Sequence, residues 1–300
     1  MNIHTLERDP SNNSNNSNRI VNIYQPTNKL DISNNSNIRS SFNISSNAIR
    51  CIDPSKYKLK KFSAIILIIN SLMYIFELLY HYVFTKKSWH CTLYNFGGKD
   101  TYSIVYHKQI YRFLTPIFLH ASIHHIIMNS SSILFLGFFL ENKLGTSKII
   151  ILYISSGIIS SIFSAAYNKK ALSVGASGAI MGFSGVLIVD YILTYHKMNE
   201  RQKRHFLFFA IMTFINLGGV NISKDGNKID NIAHLFGFIT GVCLSVFLIQ
   251  DYIDFQYISH NLLKKLKILF GVCLISGIIL CLIYLFHIVQ IPINRLKDVC

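Results

Sequence analysis

Charge is scarce in this chain of 300 residues: Asp, Glu, Lys and Arg together make 14%, with 14 acidic residues against 29 basic ones. Half of the chain, 51%, is apolar, and so little charge on so much apolar sequence excludes an ordinary soluble domain. The net charge of +15 suits nucleic acid only if the basic residues share a soluble face. Instead they gather at the ends of apolar runs, so nucleic acid is not read as a partner and the charge is read as a topology signal. The six cysteines contain no Cys-x-x-Cys pair, which leaves neither a zinc motif nor a redox motif, and no metal or cofactor is expected. No apolar signal-peptide core precedes the first long apolar run, so that run itself must direct insertion.

What is present is a series of apolar runs, most of a length that crosses a hydrocarbon core of ~30 Å. They predict an all-α polytopic membrane protein with seven spans: 62–84, 116–140, 148–167, 177–195, a short one at 206–219, 231–249 and 268–291. The sequence divides into an Asn/Ser-rich tail at 1–60, expected to be disordered, a six-span core at 61–250, and a loop, seventh span and short outer tail at 251–300. Lys56, Lys58, Lys60 and Lys61 before the first span predict a cytosolic N-terminus. Seven spans then place the basic loops at 141–148, 196–205 and 251–267 on the cytosolic side as well, and Cys91 and Cys300 outside. Glu77 and His81, within the first span, are expected to face the bundle or reach towards its rim.

The chain is organised around Val174-Gly-Ala-Ser177-Gly178, where a polar run (Asn168, Lys169, Lys170) gives way to an apolar helix. A serine at a helix start has unpaired N–H groups and the positive end of the helix dipole beside it, which suits a nucleophile whose reaction creates an oxyanion. Elsewhere, His120-Ala-Ser-Ile-His124-His125-Ile-Ile-Met-Asn129 and Asp230-Asn-Ile-Ala-His234-Leu-Phe-Gly237 place polar groups in apolar segments, where they are costly and tend to be functional. His125 and Asn129, four apart, share a helical face, and His120 and His124 form another such pair. Gly178 with Gly182 and Gly237 with Gly241 are small-residue pairs that let two membrane helices nearly touch. That contact would bring Ser177 to His234, a nucleophile and its base. Asp230 is four residues before His234 and reads equally well as a third member or as a helix start.

These stretches resemble the rhomboid family of intramembrane serine proteases, from about Arg112 to Gly241. The family's His-x4-His-x3-Asn matches His120, His125 and Asn129; its Gly-x-Ser-Gly matches Gly175, Ser177 and Gly178; its Ala-His-x2-Gly-x3-Gly matches Ala233, His234, Gly237 and Gly241. Arg112 follows Tyr111 where the family has Trp-Arg, and Glu141 and Gly145 fall on a structural glutamate and glycine. The resemblance implies a six-helix core with an extra helix after the catalytic histidine, as in secretory-type members. It implies a Ser177–His234 dyad with His125 and Asn129 at the oxyanion, and single-span membrane proteins in the lipid bilayer as substrates. A secretory-pathway or cell-surface membrane fits better than the mitochondrial inner membrane. Met181 stands where the family commonly stacks an aromatic ring on the catalytic histidine.

Three other classes fit less well. A zinc protease could use His120 and His124, but the glutamate of His-Glu-x-x-His is Ala121 here. A non-catalytic rhomboid-like scaffold typically lacks the serine or histidine retained here, and a transporter lacks support from any inverted repeat.

Overall fold

The computed structural model describes residues 61–85, 87–218, 230–249 and 259–289, with backbone alone at 85 and 212–218. All lie in one unit that runs from Asp53 to Cys300. The tail at 1–60, the lysines within it, residues 251–258 of the 251–267 loop and Cys300 fall outside the described residues.

The described residues form helices joined by short turns. The first, α1 (Phe62–Tyr80), continues as a wider turn over His81–Thr85, and two short helices, α2 (Trp89–Asn95) and α3 (Thr101–Tyr106), follow it in the long loop before the second span. Next come α4 (Ile123–Ser132), which runs through a wide turn into α5 (Phe138–Leu144), then α6 (Thr146–Tyr167), α7 (Ser177–Thr194), α8 (Glu200–Gly218), α9 (Asn231–Leu248) and α10 (His260–Ile283). Among the described residues, six helical stretches are long and apolar enough to cross a membrane: Phe62–Phe84, Ile123–Leu144, Thr146–Tyr167, Ser177–Lys197, Asn231–Leu248 and His260–Ile288. The chain is an integral, multi-pass, all-α membrane protein. The fifth expected span, 206–219, falls on α8 as far as Gly218, and α8 is not among these six.

Three boundaries differ from expectation, each for a local reason. The second span starts at Ile123, not 116, because Pro116 opens a separate tight turn and the Ser122 hydroxyl caps α4 by accepting from the His125 N–H. His120 therefore precedes the helix, and the His120–His124 helical pair does not form; His124 is exposed. At the other two boundaries, α8 and α10 begin inside the expected basic loops. Arg201, Lys203 and Arg204, and Lys264, Lys265 and Lys267, occupy first turns that extend beyond the apolar part. Lys and Arg are good helix formers, and Ser259 caps α10 by accepting from the Leu262 N–H.

The centre of the bundle is α7, packed between α6 and α9. Its inner face is small because space is absent: an added Cβ at Gly178 or Gly182 would run into Ser160 or Ser156 of α6. On the other side, a Cβ at Gly237 would stand 2.9 Å from the Gly178 carbonyl carbon, and one at Gly241 2.8 Å from that of Gly182. The two glycine pairs meet as their spacing predicts. Below them a core of Leu136, Leu140, Ile149, Leu152, Tyr153 and Phe183 fills the bundle. Glu141 closes that end. Its carboxylate accepts from the Phe62 and Ser63 N–H groups (2.8 and 2.9 Å), the Ser63 hydroxyl (2.7 Å) and the Thr146 hydroxyl (2.7 Å). It thus caps α1 from another helix, where the dipole favours a negative charge, and Gly145, at φ +91°, makes the turn from α5 to α6.

Candidate active site

Ser177 is the first residue of α7, and no side chain caps that helix start, so its first N–H groups remain available. His234 lies one turn into α9 and is 7% exposed. Close contact between the two glycine pairs leaves Ser177 Oγ 2.8 Å from His234 Nε2, hydrogen-bond distance for a nucleophile and base.

The irregular segment before α7 is held by backbone on both sides. The Gly175 N–H donates to the Pro116 carbonyl (2.8 Å), and Ser173 exchanges two backbone hydrogen bonds with Lys99 (2.9 and 3.1 Å). Gly175, at φ +126°, is fixed as glycine by more than its backbone. A Cβ there would lie 2.6 Å from His125 Cε1, 2.7 Å from His125 Nε2 and 3.4 Å from Asn129 Nδ2. Lack of a side chain thus seats the His125 ring and Asn129 amide against the irregular segment that leads into Ser177. Asn129 is 5% exposed, and its Nδ2 has no hydrogen-bond partner among the described residues. The His125 Nδ1 faces the Ala121 N–H at 3.4 Å, which leaves Nε2 on the Gly175 side.

His120 is fully buried, its ring inclined at 68° to that of His125 with centroids 5.4 Å apart. Glu77 is buried beside it, one carboxylate oxygen 3.4 Å from the His120 backbone N–H. It therefore faces the bundle, whereas His81 meets Thr92 and the Trp89 ring in the loop that follows α1. Arg112, 3% exposed, organises that loop by donating to the Tyr94 and Gly98 carbonyls (2.9 and 2.8 Å) and to Gln109, with its guanidinium 4.4 Å over the Tyr94 ring. Met181 is fully buried one turn along α7 from Ser177. Among the described residues, no three His, Cys, Asp or Glu side chains come together as a metal site.

Asp230 resolves as a helix cap. Its Oδ1 accepts from the Ala233 N–H at 3.2 Å, while Oδ2 accepts from the Ser164 and Ser173 hydroxyls and lies 3.9 Å from Lys99 Nζ. Sequence reasoning missed Lys99, which is 1% exposed; a lysine in a polar loop carries no signal that its partner lies at the head of α9. A cavity of ≈ 30 Å³ extends from Ser177 along Ser160, Ser164, Ser173, Lys99 and Asp230.

Residues 107–251 match the rhomboid domain family model. RHOMBOID-like protein 1 of Arabidopsis thaliana is 34% identical over 161 residues, 53% of this chain and 40% of that protein. Rhomboid-like protease 3 of Toxoplasma gondii is 34% identical over 137 residues, 45% of this chain and 51% of that protein. A further relative, named Inactive RHOMBOID-like protein 8 of Arabidopsis thaliana, is 28% identical over 149 residues, 50% of this chain and 41% of that protein. The chain spans about half the length of the curated relatives it matches. Ser177 and His234 thus stand, within hydrogen-bond reach of each other, inside the stretch of this membrane protein, residues 107–251, that matches the rhomboid domain family model.

Proposed function

We propose that the chain is an intramembrane serine endopeptidase that cuts single-span membrane proteins near the outer end of their transmembrane helix. One observation carries the reading: Ser177 Oγ and His234 Nε2, from different helices of an apolar bundle, lie 2.8 Å apart. In the proposed reaction Ser177 Oγ attacks the scissile carbonyl carbon while His234 Nε2 takes its proton. The oxyanion that forms is held by the Ser177 N–H and by the His125 and Asn129 side chains. Collapse expels the amine, which receives the proton from His234, and water then hydrolyses the acyl-serine by the same two steps. The buried Asn129 Nδ2, with its donor unspent among the described residues, supports the oxyanion assignment. The mechanism as written calls for no metal or cofactor.

The orientation proposed places the N-terminus in the cytosol and Ser177 towards the outer side, in a secretory-pathway or cell-surface membrane. Cys91, in the loop between α1 and α4, is disulfide-bonded, which fits an oxidising compartment on that side.

Cleavage of a panel of single-span proteins by the purified chain in liposomes, beside Ser177→Ala and fluorophosphonate labelling, tests the reading. Cleavage and labelling are expected of the wild type and neither of Ser177→Ala; turnover retained in Ser177→Ala overturns it. Met181, in place of an aromatic residue, favours a second reading, a rhomboid-like scaffold with a weak dyad. A wild type that neither cleaves nor labels but retains bound single-span clients is its outcome.

A further inference from the structure

We propose that Lys99 and Asp230 are positioning residues: a buried ion pair that clamps the outer loop, the segment before Ser177 and the head of the His234 helix into one unit. The inference rests on the dyad reading above. Lysine is almost never fully buried unless paired, yet Lys99 is 1% exposed. Its Nζ donates to the Asn168 carbonyl at 3.0 Å and lies 3.9 Å from Asp230 Oδ2, while its backbone bridges Ser173. Asp230 gathers the remaining elements: Ser164 of α6, Ser173 of the irregular segment, and the Ala233 N–H of α9. The Asp230 carbonyl also accepts the His234 N–H at 3.1 Å. The pair thus grips the chain four residues before Ser177, at Ser173, and four residues before His234, at Asp230.

A helix cap alone would not need this arrangement, since serine or asparagine caps as well as aspartate. The carboxylate is needed because Lys99 is buried beside it. Burial acts to raise the Asp230 pKa, but the Lys99 charge and then the hydrogen bonds from Ser164, Ser173 and the Ala233 N–H outweigh it and hold the carboxyl below its usual range. Neutralising one partner strands the other's charge in the bundle, and the chain must shift to hydrate it. Because the clamp lies on both approaches to the dyad, that shift falls on the Ser177–His234 distance, where displacement by 1 Å costs up to ~10²-fold.

The test measures kcat and KM per fluorophosphonate-titrated Ser177 site, with melting temperature, for the full chain in liposomes. Asp230→Asn and Lys99→Met should each lower kcat about 10- to 100-fold with KM little changed. Lys99→Arg, which keeps the charge, should stay within a few-fold of wild type, and the Lys99→Met/Asp230→Asn double variant should recover much of the loss. Should the single neutralisations fail to fold, Ser173→Ala decides, because it removes one hydroxyl from the carboxylate and no charge; kcat should fall several-fold. Wild-type kcat per titrated site in the neutralised variants or in Ser173→Ala, or losses that simply add in the double variant, would overturn the clamp. Absence of Ser177-dependent cleavage by the wild type would instead sink the protease reading, which keeps the two failures apart.

Discussion

At the scale of single residues, the site depends on small or absent side chains as much as on reactive ones. Gly175 has no Cβ, and the His125 ring takes the space one would occupy, 2.6 Å from its position; Asn129 comes against the same segment. These two side chains are assigned to the oxyanion by proposal, and the assignment has a quantitative consequence. Removing one oxyanion donor typically lowers kcat by about 10²- to 10³-fold. Asn129→Ala should therefore slow cleavage by about that factor, while a small fluorophosphonate still labels Ser177, because Ser177 and His234 remain paired. Labelling lost together with turnover would assign Asn129 to the architecture of the dyad and not to its transition state. His124, which is exposed, provides the internal control: His124→Ala should leave turnover close to wild type.

At the scale of elements, the contact between α7 and α9 decides whether there is a site at all. The carbonyl carbons of Gly178 and Gly182 lie 2.9 and 2.8 Å from where side chains at Gly237 and Gly241 would begin. Gly237→Leu therefore cannot be absorbed by a rotamer change and must push the helices apart. Overpacking of this kind costs about 1–3 kcal/mol, and the separation carries His234 away from Ser177, so cleavage should fall by at least ~10²-fold with a lowered melting temperature. Gly277→Leu on α10, whose nearest neighbour is the end of the Phe163 ring at 3.7 Å, should be tolerated; equal damage at both positions would refute the packing argument. This contact was legible in the sequence because glycines four apart, a histidine and a serine are local patterns, and the helical period fixes what each faces. The spans were legible for the same reason. The start of α4, and with it the place of His120, was not, because an apolar run continues through Pro116 to Leu119 and only the Ser122 cap separates turn from helix. Lys99 was illegible on different grounds: its burial is set by Asp230, Asn168 and Ser173, which only the assembled bundle brings to it. Helix starts at Glu200 and His260 were hidden because charge at a span's end reads as loop, whereas Lys and Arg continue a helix readily.

At the scale of the whole molecule, orientation and substrate follow from one another. With the N-terminus in the cytosol, an impermeant maleimide applied to intact cells should reach Cys91 only after an impermeant reductant opens its disulfide, and should not reach Cys51; labelling of Cys51 would invert the topology. In that orientation Ser177 is approached from the outer side, through the irregular segment 168–176, so the scissile bond belongs in or just above the outer part of a substrate's transmembrane helix. A helix engages its own carbonyls in i to i−4 hydrogen bonds, and the segment across Ser177 has to be extended for Oγ to reach a carbonyl carbon. The substrate must therefore unwind locally inside or at the rim of the bilayer, where unpaired backbone groups are costly. Residues that weaken the helix reduce that cost: Gly by up to ~1 kcal/mol relative to Ala, and Pro by about 3. The expected substrates are single-span proteins with a small residue before the cut and helix breakers just beyond it. In a confirmed substrate, replacing each breaker with Leu should slow cleavage by roughly fivefold per glycine removed, the rate equivalent of ~1 kcal/mol. The check is a time course in liposomes for the parent and the Leu variants at matched reconstitution, with the cut site mapped by mass spectrometry. Slowing in step with the number of breakers removed is expected; unchanged rates would mean that recognition rests on the side chains around the bond and not on the helix's readiness to open.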